Sequence, residues 1–192
     1  MSRPREFDAD KALHQCMDVF WTKGFQATSY EELTRVTQVK KQSLYGVFKN
    51  KRELFLKSLA LYREQNIELL EERLNREESP LRKLQAICDA ALFPNEETVR
   101  RGCLMINSTL EFGGDEEVAS EMSLMFSRVE DLIDRVIRSG QEQGIFTTRL
   151  SSRELAAHLN NAISGAKMLE KSGVSREKIE NVLDTAILLI RV

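Results

Sequence analysis

The sequence predicts an all-α protein of about nine helices. Apolar residues recur every three or four positions along almost the whole chain, which is the spacing of one buried helix face. No segment alternates apolar and polar residues as a half-buried strand does. Only three prolines and nine glycines stand among the 192 residues. These three observations favour long helices joined by short turns.

The first 50 residues predict three short helices. The first begins after Asp8, a residue type that caps helix N-termini, and ends at Gly24. Two overlapping capping boxes within residues 28–32 open the second helix. A turn near Gln38 separates it from a third helix, which reaches Phe48. Helices of this length in this order have the proportions of a helix-turn-helix.

The remaining residues predict longer helices that form a second domain. A long helix over 51–74 follows the cap residue Asn50, and glycines and hydroxyl or carboxylate caps divide the rest. The further helices are expected over residues 80–92, 102–112, 115–143, 152–172 and 175–190. We therefore divide the chain into a helix-turn-helix DNA-binding domain, 1–50, and a helical domain, 51–192.

Charge is distributed unevenly along the chain. The first 60 residues hold eleven of the 28 basic and seven of the 30 acidic residues, a net charge of +4. The other 132 residues hold 17 basic and 23 acidic residues, a net charge of −6, so the total is only −2. A basic first third indicates that this part of the chain faces a polyanion.

Several classes of protein are excluded by the sequence. No apolar run approaches the roughly 18 residues of a membrane span, and the polar start MSRPRE is unlike a signal peptide. The three cysteines, Cys16, Cys88 and Cys103, are an odd number without a CxxC pair, which favours the reducing cytoplasm. His14 and His158 are isolated, and neither a phosphate loop nor a GxSxG or HExxH motif occurs. We therefore expect no enzyme, no cofactor and no metal.

The start of the third helix carries side chains that suit DNA recognition. In a helix-turn-helix the second helix of the pair enters the major groove with its N-terminal residues at the base edges. Gln42 can bridge an adenine edge, lysine can reach guanine acceptors, and Ser43 can read a base or bind phosphate. The residues expected near DNA on this basis are Lys40, Lys41, Gln42, Ser43, Tyr45, Lys49 and Lys51. The alternative is a solvated helix start in which Tyr45 is a half-buried core residue.

Part of the first 55 residues resembles the DNA-binding domain of the TetR family of transcriptional regulators. The residues that carry the resemblance are the stretch from Phe20 to Ser29, Leu33, and the stretch from Val39 to Phe55. The resemblance implies a three-helix DNA-binding domain that the fourth helix connects to a helical ligand-binding and dimerisation domain. It also implies that Gln42 and Ser43 face bases. The residues that it places near phosphates are Thr28, Lys41, Tyr45, Gly46 and Lys51.

Three positions depart from the pattern of this family. The family commonly has glycine where this chain has Gln38, and a left-handed conformation there would cost about 1 kcal/mol more for glutamine. It commonly has a hydroxyl cap where this chain has Lys40, and a bulky polar residue where it has Gly46. The motif survives these changes.

A homodimer is expected, because one short recognition helix contacts too few base pairs for specificity. Such dimers read the two halves of a palindromic operator. In the family the last two long helices form the dimer, and here each carries an apolar stripe. The residues expected at the dimer interface are Leu155, Leu159, Ala162, Ile163, Ala166, Leu183, Ile187 and Ile190. The alternative is that these stripes pack inside one chain.

The middle helices are expected to hold a small-molecule effector. The segment from Arg100 to Glu111 resembles one found in a TetR subgroup that includes sensors of reactive electrophiles, and its two arginines favour a thiolate at Cys103. The expected pocket residues are Cys103, Met105, Asn107, Ser108, Glu111, Met122, Met125 and Phe126. Three interpretations stay open: a repressor released by a lipophilic or aromatic effector, a thiol sensor acting through Cys103, and a helical protein-interaction dimer without DNA binding.

Overall fold

The computed structural model describes residues 7–192, and within them the chain forms ten α-helices. The all-α prediction is confirmed. The short helix α6 is an addition, formed where the sequence indicated only a break. The ten helices are α1 Ala9–Lys23, α2 Tyr30–Thr37, α3 Lys41–Phe48, α4 Lys51–Asn75, α5 Pro80–Ala91, α6 Glu96–Arg101, α7 Leu104–Phe112, α8 Glu116–Glu142, α9 Ser152–Lys171 and α10 Arg176–Ile190.

No helix in residues 7–192 combines the length and the apolar character that a membrane crossing requires. The start MSRPRE, which the sequence distinguishes from a signal peptide, lies outside the described residues.

The chain packs into two compact units that are not continuous in sequence. The first unit extends to Glu64 and also contains Leu104–Glu121, while the second comprises Gln65–Cys103 and Met122–Val192. The first unit therefore includes α1 to α3, the first half of α4, α7 and the start of α8. The functional division into 1–50 and 51–192 stays a prediction. By packing, α7 belongs with the helix-turn-helix.

The first unit is built around four phenylalanine rings. Phe20 on α1 and Phe55 on α4 are almost completely buried, with ring centroids 5.1 Å apart. Phe25, in the turn after α1, lies 5.1 Å from Phe55, and Phe112, at the end of α7, lies 5.2 Å from it. Phe55 thus contacts three other rings, which join α1, α4 and α7.

The helix ends in this unit follow the caps expected from the sequence. The Asp8 carboxylate accepts a hydrogen bond of 2.9 Å from the amide of Lys11, and the Ser29 hydroxyl accepts one of 3.1 Å from the amide of Glu32. Asp115 caps α8 by accepting from the amide of Val118 at 3.2 Å. Its carboxylate also accepts from Arg52 at 2.8 Å, and this bond lowers the pKa of Asp115.

The second unit is a bundle whose core is formed by the second half of α4, α5, the later part of α8, α9 and α10. The sequence stripes of α9 and α10 lie in this core, which corrects the prediction of a dimer interface at these positions. Seven of the eight side chains concerned are buried within the chain itself, and the eighth, that of Ala162, is partly buried against them. An amphipathic stripe shows that a face is covered, and here the chain's own helices cover it. The buried residues are Leu155, Leu159, Ile163, Ala166, Leu183, Ile187 and Ile190.

The end of α8 packs against the loop that follows it. Gly140 is buried, and a Cβ atom at this position would overlap the ring of Phe146. The carbonyl of Gly140 accepts from the amide of Ile145 at 2.8 Å and from that of Phe146 at 3.2 Å. The chain therefore turns back directly onto the helix at a point where only glycine leaves room.

Candidate nucleic-acid interface

The turn of the helix-turn-helix is closed without a glycine. Gln38 adopts the left-handed conformation expected for this position, with φ 57° and ψ 23°. Its side-chain amide donates to the carbonyl of Arg35 at 2.6 Å, and the hydroxyl of Thr37 donates to that of Leu33 at 2.7 Å. The bond from Gln38 occupies a carbonyl in the last turn of α2, which otherwise has no partner within the helix. Gln38 therefore fills the place that the family commonly gives to glycine.

Helix α3 is anchored by two residues and exposes the rest of its surface. Leu44 and Phe48 are buried in the first unit. Lys40 occupies the N-cap with an extended backbone and makes no side-chain cap bond, as its side chain predicts. The residues of α3 that are exposed to solvent are Lys41, Gln42, Ser43, Gly46 and Val47. The expected base-reading residues therefore stand on an open surface.

Thr28 is wrongly predicted as a phosphate contact. Only 1% of this residue is exposed, and its hydroxyl donates a hydrogen bond of 2.6 Å to the carbonyl of Gly24. Its amide donates to the carbonyl of Phe25 at 3.3 Å. Thr28 closes the turn before α2 and has no polar group left for DNA.

Tyr45 is likewise directed into the protein. Its hydroxyl oxygen is buried and has no hydrogen-bond partner among the described residues. Its ring meets that of Tyr30 edge to face, with centroids 5.0 Å apart. Burial, together with the neighbouring Tyr30 and Cys16, raises the pKa of Tyr45 far above its ordinary value. The hydroxyl is therefore not placed for a phosphate, and the half-buried alternative describes this residue.

Two of the lysines expected at phosphates rest on aromatic rings of the first unit. The ammonium of Lys41 lies 4.4 Å from the centroid of Tyr30, and that of Lys51 lies 4.2 Å from the centroid of Phe25. Burial lowers the pKa of Lys51, and the carboxylate of Glu111 acts in the opposite direction. Lys41 remains exposed, whereas Lys51 is half-buried.

Gly46 does not offer its amide to DNA as the resemblance implies. It is the sixth residue of α3, beyond the first four, whose amides have no partner within a helix. At Gly46 the backbone on the outer surface of α3 is exposed to solvent.

Glu111, expected in the effector pocket, instead binds the turn between α1 and α2. Its carboxylate accepts from the amide of Phe25 at 3.0 Å and from that of Gln26 at 2.7 Å. Gly24, with φ +82°, allows this approach, because a Cβ atom there would lie 2.8 Å from a carboxylate oxygen of Glu111. The contact spans 85 residues of sequence, so no local pattern indicates it.

The other expected pocket residues are divided between the two units. Met105 and Ser108 are buried in the first unit, where the Ser108 hydroxyl donates to the carbonyl of Leu104 at 2.7 Å. Asn107 belongs to the same unit and is half-buried. Cys103 and Met125 are buried in the second unit, in which Met122 and Phe126 are half-buried.

The second unit contains a small apolar crevice formed by α4, α5, α8 and α9. Its volume is about 50 Å³, and of the expected pocket residues it includes Met125. Ligand pockets are typically several times larger, in the range of roughly 300–1,000 Å³. The residues lining the crevice include Leu70, Ile87, Ala91, Met125, Val129 and Ile163.

Cys103 has a cationic neighbour that the sequence does not indicate. Lys171, at the end of α9, donates to the carbonyl of Arg101 at 3.3 Å and passes so close to Gly102 that no Cβ fits there. Burial lowers the pKa of Lys171, and the neighbouring Cys103 acts in the opposite direction. Burial also raises the pKa of the Cys16 and Cys88 thiols to about 12. No group of three or more metal-ligating side chains occurs in the part of the chain that the structure describes.

Comparison with known proteins identifies the family. Residues 13–57 match the family of bacterial regulatory proteins named after TetR, and residues 80–186 match the tetracyclin repressor-like C-terminal domain. This chain belongs to the TetR family. It is therefore a DNA-binding transcriptional regulator with a helix-turn-helix.

Individual known proteins resemble this chain over nearly their whole length. The HTH-type transcriptional repressor ComR of Escherichia coli is 30% identical over 191 residues, which cover 97% of this chain and 90% of ComR. The structure of E. coli NemR in its reduced form has a TM-score of 0.85 at 23% identity, covering 95% of this chain and 96% of NemR. A cysteine variant of the TetR family regulator CifR, solved with 26-bp operator DNA, has a TM-score of 0.77 at 28% identity, covering 98% and 100%.

Proposed function

We propose that this TetR-family regulator is a repressor that binds a palindromic operator as a homodimer and leaves it when a small-molecule effector binds. The observation that carries the proposal is the open N-terminal half of α3, where Gln42 and Ser43 stand exposed on a helix anchored by Leu44 and Phe48. The similarity to ComR, a repressor, and to CifR, which was solved on operator DNA, supports it.

Base reading by Gln42 and Ser43 is supported by their position as well as their chemistry. They occupy the second and third residues of α3, the part of a recognition helix that meets base edges. Lys40 and Lys41 precede them and are exposed, so they supply positive charge at the same end of the helix. These lysines would neutralise phosphates, which gives affinity without sequence preference.

A dimer is supported by apolar side chains that the second unit leaves exposed. They lie on the sides of α9 and α10 that do not pack into the core, and no described helix of the same unit covers them. Exposed apolar surface of this kind commonly marks an interaction site. The residues proposed for the interface are Met168, Leu169, Val182, Leu188 and Leu189.

For the effector we propose the apolar crevice that contains Met125. Its mostly apolar lining suits a lipophilic or aromatic molecule, with Asn66 and Lys167 as the polar groups at its edge. Because its volume is only about 50 Å³, such a molecule would have to separate the lining side chains. In the first unit, Glu111 on α7 accepts hydrogen bonds from the amides of Phe25 and Gln26, so movement of α7 would be transmitted to the helix-turn-helix at this point.

Selection of bound sequences from a random pool of DNA duplexes tests the regulator proposal. A palindrome is expected, since a two-fold dimer reads two half-sites. Gln42→Ala should relax the preference at one base pair by about 1–3 kcal/mol while general affinity remains. Lys40→Ala is the matched comparison, and it should weaken binding to all sequences alike and reduce the salt slope by about 1. Equal, sequence-independent binding by wild type and Gln42→Ala would refute the assignment, whereas no DNA binding by either protein would favour the protein-interaction alternative.

A thiol sensor acting through Cys103 is the second candidate, and Lys171 is the observation that favours it. A cation beside a cysteine stabilises the thiolate, which is the reactive form. Burial raises the pKa of Cys16 and of Cys88 to about 12, which disfavours the thiolate of each. A thiolate at Cys103 would react with electrophiles such as quinones or aldehydes and shift the equilibrium between bound and free repressor.

Cys103→Ser should bind the operator as wild type does but fail to release it when an electrophile is added. Cys88→Ser is the control, and it should release normally because its thiol is not the reacting group. Release is measured by fluorescence anisotropy of a labelled operator during titration with a quinone. Unchanged release from Cys103→Ser would remove Cys103 from the mechanism and leave the noncovalent effector.

A further inference from the structure

Gly46 stands at the outermost point of α3. With about 100° of rotation per residue, it lies opposite Leu44 and Phe48, which are each two residues away and both buried. Apart from its two chain neighbours and the nearby backbone of α3 itself, no atom of the described residues lies within 4 Å of the place where its Cβ would be, and its backbone is helical. Glycine weakens a helix relative to alanine, and neither packing nor backbone conformation requires it here. The fold therefore does not account for this glycine.

Val47 adds an apolar side chain to the same exposed surface. It is 47% exposed, follows Gly46 directly and lies one turn after Ser43. Gln42 and Ser43 offer hydrogen bonds to base edges, but Val47 offers only methyl groups. In the major groove the one apolar group on a base edge is the 5-methyl of thymine.

We propose that Gly46 and Val47 form a contact surface for the 5-methyl group of a thymine in the operator. The bare backbone at Gly46 lets α3 approach the base edges closely, and Val47 then packs against the thymine methyl. The contact specifies thymine at a base pair next to those read by Gln42 and Ser43. This inference rests on the proposed binding of a specific operator and adds a determinant of its sequence.

The test uses the operator that the wild-type protein selects, with each thymine replaced in turn by deoxyuridine, which lacks only the methyl group. Each half-site should contain one thymine whose replacement matters. Replacing it in a single half-site should lower the affinity of the wild-type protein about fourfold, the effect of exposing one methyl-sized apolar group. Replacement in both half-sites should cost about fifteenfold, since the two losses multiply. With Val47→Ala the same replacements should change the affinity less than twofold.

Two further variants complete the test. Leu110→Ala, at an exposed leucine outside α3, should keep the wild-type response to deoxyuridine. Gly46→Ala should melt at a higher temperature than wild type and yet bind the operator more weakly, because the added Cβ holds α3 away from the bases. Binding of Gly46→Ala as tight as wild type, or the same deoxyuridine response in Val47→Ala and wild type at every thymine, would overturn the inference. A protein that selects no DNA sequence at all would instead overturn the proposed function, and the inference with it.

Discussion

Replacing Phe55 with alanine is expected to lower the free energy of unfolding by about 3–5 kcal/mol, the cost of deleting a fully buried aromatic side chain. Phe55 is 1% exposed and contacts the rings of Phe20, Phe25 and Phe112. Its loss would leave a cavity where α1, α4 and α7 meet. Denaturation in urea, followed by far-ultraviolet circular dichroism, measures the change.

The same variant should lose operator binding at temperatures where wild type still binds. The helix-turn-helix rests on the aromatic cluster through Phe20 and Phe25, so a loosened cluster no longer holds α3 in a fixed position. Phe126→Ala is the matched control, because Phe126 is only half-buried and lies in the second unit. It should cost less stability and leave operator affinity unchanged. A loss below about 1 kcal/mol for Phe55→Ala would show that the cluster does not support the unit.

Gly140→Ala is expected to destabilise the protein by about 1–3 kcal/mol, although alanine is the better helix former. The added Cβ would overlap the ring of Phe146, which is 1% exposed and packs onto α8 at this point. Moving the ring aside would also disturb the hydrogen bonds from Ile145 and Phe146 to the Gly140 carbonyl.

The matched control is Gly46→Ala, which adds the same methyl group to another helical glycine. There the Cβ meets open space, so a gain of roughly 0.5–1 kcal/mol is expected from helix propensity alone. Thermal melts of the two variants should therefore move in opposite directions. A stabilising Gly140→Ala would contradict the packing of Phe146 against α8.

The sequence was sufficient for nine of the ten described helices because periodicity and caps are local, but it did not indicate the short α6. Asp8, Ser29 and Asp115 cap the helices that they were expected to cap, and Gln38 adopts the expected left-handed turn. The recognition helix was likewise predictable, since its exposed start lies within one short segment.

What the sequence could not establish is which partner covers a given face. Leu159 and Leu183 lie on amphipathic stripes, and a stripe does not distinguish a neighbouring helix of the same chain from a second copy. Thr28 and Tyr45 carry hydroxyls that suit phosphates, but local packing directs both into the protein. Glu111 and Lys171 contact segments 70 to 86 residues away, and such contacts leave no local pattern.

The first unit is formed by two separate stretches of the chain, and this limits how DNA-binding domains can be exchanged between regulators. A chimera that joins residues 1–64 of this chain to another protein's body would carry Phe55 without Phe112 and the turn at Phe25 without the carboxylate of Glu111. An exchange that keeps the first unit intact would also have to include α7, which is encoded far from residues 1–64. The packing of the DNA-binding helices therefore depends on a helix that lies outside the helix-turn-helix.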